Sequence, residues 1–103
     1  MEQNDLNREK VYTKFKLKNG NCKVRIAGIS MEPFLHNGQY IIAATANDYN
    51  VDDVVLYYYK DEGLLIHRVI YKYNEQFFCR GDNSHRIERV NLDEILGKMI
   101  KLA

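Results

Sequence analysis

Three side chains of this sequence are of the kinds that together take a proton off a hydroxyl: Ser30, His67 and Asp82. Ser30 lies in Gly28-Ile29-Ser30-Met31-Glu32-Pro33, after an apolar run of strand character and before a proline. A serine in a solvated loop is a poor nucleophile, whereas one fixed at a strand end within reach of a base is activated. Pro33 fixes its own φ and disfavours the helical region for Glu32, so the bend around Ser30 is stiff. His67 interrupts the apolar run Leu64-Leu65-Ile66-His67-Arg68-Val69-Ile70 and so places an imidazole among apolar neighbours. Asp82 sits in Arg80-Gly81-Asp82-Asn83-Ser84, a turn that presents a carboxylate. Histidine ordinarily titrates at about pH 6.5 and acts as a base with little adjustment. A carboxylate on its other ring nitrogen holds the tautomer that faces the serine.

The elements that must position these groups read as mostly β. Residues 12–17 and 23–27 alternate apolar and charged around Asn19-Gly20, which predicts a hairpin whose wet face carries Lys14, Lys16, Lys18, Lys23 and Arg25. Residues 39–44 form an apolar run of strand length, and residues 47–53 a loop rich in Asn and Asp. Val54 to Tyr59 is β-branched and aromatic, and Lys60-Asp61-Glu62-Gly63 follows as a turn. Residues 64–73 form the longest strand, paired with residues 76–80 across Asn74-Glu75. If it is extended, Leu65, His67, Val69 and Tyr71 share one face, with Ile66, Arg68 and Ile70 on the other. Residues 91–95 suit one helical turn, and residues 97–102 a last strand. Many short strands without βαβ spacing predict a mainly β fold, a coiled antiparallel sheet or partly open barrel.

Composition narrows the function classes. At 103 residues the chain has length for one core, so residues 1–103 are expected to form a single domain, with residues 1–10 polar and flexible. A formal net charge of +1 gives no field to draw nucleic acid, and the Tyr57-Tyr58-Tyr59 run reads as a packed strand, not a stacking platform. Cys22 and Cys79 have no metal-type spacing and are expected as two buried free thiols, although a bridge is open to them. His36 and His85 fall in polar stretches and read as solvated, so neither a metal nor a cofactor is expected. No stretch near 18 apolar residues is present to span a bilayer, and the first residues are hydrophilic. The expectation is a cytoplasmic protein, with at most peripheral membrane association.

Ser-Met-x-Pro at residues 30–33, His-Arg-Val at 67–69, Arg-Gly-Asp-Asn at 80–83 and Gly-Lys-Met at 97–99 occur in that order. Together they resemble the type I signal peptidases and, more broadly, the serine-protease superfamily that also holds the self-cleaving repressors of the SOS response. The resemblance runs from about Val24 to Ile100, most of the chain. Many bacterial members carry a lysine base. The archaeal, endoplasmic-reticulum and sporulation types carry a histidine followed by Arg-Val or a similar pair, and His67 stands at that position.

The resemblance implies hydrolysis of a leader or precursor peptide through an acyl-enzyme, with Ser30 as nucleophile and His67 as base. Histidine-type relatives have a second acidic residue shortly after the Gly-Asp-Asn turn. Glu88 stands there in place of the usual Asp, so Asp82 and Glu88 are both candidates to orient His67. The oxyanion is expected on the Ser30 N–H, with Gly28 letting the chain approach closely. The substrate, a peptide or protein, would add as a strand between the segments before Ser30 and His67, with Ile29, Met31, Leu64 and Ile66 at shallow pockets. Small residues before the cut are implied by the resemblance alone. Two alternatives stand beside this reading: a non-catalytic peptide-binding module on the same fold, and a self-cleaving regulatory domain. The second lacks a helix-turn-helix, and its only small-residue pair of the expected kind, Ala27-Gly28, abuts Ser30 too closely to reach it.

Overall fold

The sheet is built around a strand that is apolar on both sides. In a computed structural model, which describes Thr13, Leu17 and residues 20–103, seven strands are present: β1 (Cys22–Arg25), β2 (Tyr40–Ala44), β3 (Val54–Tyr58), β4 (Leu64–Tyr73), β5 (Gln76–Arg80), β6 (Glu88–Asn91) and β7 (Ile95–Leu102). They form one antiparallel sheet in the order β1-β2-β7-β3-β4-β5-β6, curled into a half-barrel. Every residue of β3 is buried. Val54, Leu56 and Tyr58 join one core with Ile26, Met31, Leu35 and Ile41; Val55 and Tyr57 join another with Val69, Phe77, Cys79 and Val90. A strand with both faces covered has no polar position to spare, which is why Val54 to Tyr58 reads as an unbroken apolar and aromatic run.

The segment between β1 and β2 is the cover of the first core. Leu35 donates its N–H to the Met31 carbonyl at 2.9 Å, a single helical turn, and both side chains are buried beneath it. The Glu32–Pro33 peptide within this turn is cis.

The strands at 40–44, 54–58, 64–73 and 76–80 form where their residue patterns place them, and a 3-10 turn at Leu92–Glu94 falls in the expected helical stretch. Other expectations are corrected. β1 pairs with β2, Cys22 opposite Ala43 and Arg25 opposite Tyr40, and the hairpin expected between residues 12–17 and 23–27 falls largely outside the described residues. Most of residues 12–17 lie outside the described residues, and the two described there, Thr13 and Leu17, are helical, with Leu17 in the first core. Lys23 and Arg25 are exposed; Lys14, Lys16, Lys18 and residues 1–10 lie outside the described residues.

Tyr71 does not share the face of His67. A bulge between Val69 and Tyr71 inserts Ile70, so Tyr71 stands opposite Phe78, ring centroids 5.6 Å apart, on the other side of the sheet. One extra residue reverses every later side chain. The last strand begins at Ile95, not Gly97, and β6 is a strand that the sequence reading does not contain. Cys22 and Cys79 are both buried and free. Among the described residues no helix is long and apolar enough to cross a membrane.

Candidate functional site

Strand alternation turns His67 of β4 and Tyr57 of β3 toward the second core, their rings edge to face at 6.3 Å. His67 is only 5% exposed. From β6, Glu88 faces the same core and is fully buried. In a flat sheet β3 and β6 would lie about 14 Å apart, three strand spacings. The curl closes that gap, and the Tyr57 hydroxyl donates to Glu88 Oε1 at 2.7 Å. His67 Nδ1 is also 2.7 Å from Glu88 Oε1, and Arg86 Nε donates to Oε2 at 2.8 Å.

Burial works against a charge on Glu88, yet hydrogen bonds from Tyr57, Arg86 and His67 outweigh it and hold the carboxyl below its ordinary range. An ionised carboxylate only accepts, so His67 Nδ1 is the donor in this pair. In the neutral imidazole, Nε2 is then left with a lone pair. That nitrogen faces Ser30 Oγ at 3.1 Å and accepts its hydroxyl proton. A continuous chain of hydrogen bonds thus runs from Ser30 through His67 to the buried Glu88.

The bend that carries Ser30 is clamped by the Gly81–Asn83 turn. Asn83 donates its backbone N–H to the Ser30 carbonyl at 2.8 Å and its side-chain amide to the Ile29 carbonyl at 3.1 Å. The Asp82 N–H points at Met31 Sδ, 3.4 Å away. Gly81 is packed so closely that a Cβ there would lie 2.6 Å from the Ser30 carbonyl oxygen and 3.1 Å from both Ser30 Cβ and His67 Nε2. Close approach is therefore a property of Gly81, not of Gly28. Space beside Gly28 is open, and what requires glycine there is its φ of +88°. The Gly28 N–H is bonded to Asn37 Oδ1 at 2.9 Å, whereas among the described residues the Ser30 N–H makes no hydrogen bond.

Asp82 is not on His67. It takes a two-pronged bond from Arg68, Nε to Oδ1 and Nη2 to Oδ2, each 2.9 Å. The reason is alternation: Arg68 and His67 are neighbours on β4 and point to opposite faces, and Asp82 lies on the face of Arg68. Arg68 also reaches the Asp52 carbonyl at 3.1 Å and covers the ring of Phe34 at 4.7 Å. It thereby fastens the Asp82 turn and the Asp52 loop to the bend. Glu88, the other acidic candidate, is the one that meets the imidazole.

A groove of about 270 Å³ opens on Ser30 and His67, walled by residues 25–27 and Met31 on one side and by Leu64, Leu65 and Ile66 on the other. Leu64 and Ile66 are half-buried against the first core, and Met31, only 2% exposed, is chiefly a core residue that touches the groove. Ile29 is 65% exposed and is not among the groove residues. His85 is exposed, and His36 is exposed beside Glu32. Among the described residues no cluster of His, Cys, Asp and Glu is arranged to hold a metal ion.

Three contributors escape the sequence reading. Gly81 lies inside a motif noticed for its carboxylate, Tyr57 inside a run explained by packing, and Arg86 in a stretch without periodicity. Comparison of the chain with models of known protein families gives no match, and comparison with curated proteins gives none either.

Proposed function

We propose that the chain is a serine peptidase of signal-peptidase-like type, cutting a peptide or protein chain through an acyl-enzyme. The observation that carries this reading is the chain of hydrogen bonds from Ser30 Oγ to His67 Nε2 and from Nδ1 to a buried carboxylate. As Ser30 Oγ bonds to the scissile carbonyl carbon, its proton passes to Nε2. The resulting imidazolium is stabilised by Glu88 and gives the proton to the leaving amine as the C–N bond breaks. Water then repeats the sequence on the acyl-enzyme, releasing the acid and restoring Ser30. The Ser30 N–H, which makes no hydrogen bond among the described residues, is the oxyanion donor of this reading. The groove lies between the end of β1 with residues 26–27 and the start of β4, and suits an extended peptide.

The test is covalent labelling by a fluorophosphonate probe, comparing the native chain with Ser30→Ala and His67→Ala. The expected result is one adduct on Ser30, absent in Ser30→Ala and slowed at least about a hundredfold in His67→Ala. No adduct on a folded native chain between pH 6 and 9 would sink the peptidase reading and leave a peptide-binding module in its place.

A further inference from the structure

Glu88 has two oxygens. Oε1 is shared by His67 and Tyr57, and Oε2 is held by Arg86. Arg86 uses its remaining nitrogens on Glu62, Nη1 to Oε2 at 2.9 Å and Nη2 to Oε1 at 2.8 Å, and its guanidinium lies 5.3 Å from the centre of the Tyr59 ring. Glu62 belongs to the turn between β3 and β4, the two strands that carry Tyr57 and His67. Arg86 thus ties the hairpin bearing the imidazole to the strand bearing its carboxylate, two strands that do not pair with each other. We propose that Arg86, braced by Glu62 and Tyr59, is a positioning residue that keeps Glu88 turned toward His67 and sets the pH at which the His67–Glu88 unit takes up a proton.

Four side chains face Glu88: Tyr57 from β3, His67 from β4, Cys79 from β5, and Arg86 from the segment before β6. Burial pushes the Tyr57 hydroxyl far up and the Cys79 thiol up to about 12, so both stay neutral. Arg86 is then the one permanent cation on Glu88 among the described residues. Removing a cation raises the proton affinity of the pair, whichever member takes the proton. The role of Arg86 in the pair does not require the peptidase reading; its consequence at Ser30 does.

The experiment is an NMR titration of the His67 ring nitrogens in the native chain, Arg86→Ala, Arg86→Gln and Arg86→Lys. Lys60→Ala serves as the control, because Lys60 lies on the same Tyr59 ring at 5.1 Å without touching Glu88. The midpoint should rise by about one pH unit in Arg86→Ala and Arg86→Gln, return most of the way in Arg86→Lys, and stay put in Lys60→Ala. Fluorophosphonate labelling of Ser30 should lose its acid limb at a correspondingly higher pH. A midpoint unmoved in both uncharged variants, or moved equally by Lys60→Ala, overturns the proposal. A midpoint that moves in a chain whose Ser30 never labels supports the role of Arg86 and removes only the peptidase reading.

Discussion

At the scale of single residues, the choice between Asp82, the first candidate on sequence, and Glu88, its alternative, turns on one position of strand alternation. Both follow Gly81, and both are acidic. Only the direction of His67 against Arg68 on β4 decides which of them meets the imidazole. That direction is legible in the sequence, since an apolar run places His67 with Leu65 and Val69. What is not legible is which face the turn after β5 approaches. The consequence is a contrast between two isosteric changes. Glu88→Gln should slow Ser30 labelling on the order of 10³- to 10⁴-fold, because an amide holds the wrong tautomer of the imidazole. Asp82→Asn loosens a partly exposed ion pair, costs about 1 kcal/mol or less of stability and should leave labelling within about fivefold of native. Because hydrogen bonds hold the Glu88 carboxyl below its ordinary value of 4.5, its contribution to stability is complete above that pH and is lost as the pH falls through the folded value. The difference in Tm between native and Glu88→Gln should therefore be widest near neutrality and close well below pH 4.5.

At the scale of elements, the bend at residues 28–38 and the turn at residues 80–84 act as one unit. The turn donates to the bend through the Asn83 N–H and side-chain amide, and Arg68 fastens both from the far face of β4. The stiffness of the bend is readable from Pro33; its partner turn is not, because the two segments lie fifty residues apart and meet only after the sheet has curled. Two glycines separate backbone need from packing need. Gly28→Ala forces a side chain into a left-handed φ with open space around it, and should cost roughly 1–2 kcal/mol while sparing most labelling. Gly81→Ala meets the Ser30 carbonyl at 2.6 Å and must push the bend away from His67. A displacement of about 1 Å is enough to lower Ser30 labelling on the order of a hundredfold. Denaturant unfolding and probe kinetics on the same two proteins would distinguish them. Equal loss of labelling in both would mean that the bend responds to strain anywhere along it, not to the Gly81 contact.

At the scale of the whole molecule, what assembles the site is the curl of the sheet. The strand runs at 54–58, 64–73 and 76–80 are written plainly in residue type. β6 is obscured because its inward positions are Glu88 and Val90, one charged and one apolar, and a buried carboxylate breaks the alternation that would announce it. The overlooked strand is thus the one that carries the buried carboxylate of the hydrogen-bond chain. The curl can be measured as an energy between strands that a flat sheet would keep about 14 Å apart. Tyr57 and Glu88 lie on β3 and β6, with two strands between them. In a double-mutant cycle of Tyr57→Phe and Glu88→Met, followed by denaturant unfolding, the coupling should be about 1.5–3 kcal/mol, the range for a buried hydrogen bond to a charged group. Each single change leaves the other partner buried and under-bonded; the double change removes both, so the pair should lose less than the sum of its parts. Strictly additive costs would mean that the hydroxyl and the carboxylate do not meet in solution, and that the sheet is flatter there than the hydrogen-bond chain requires.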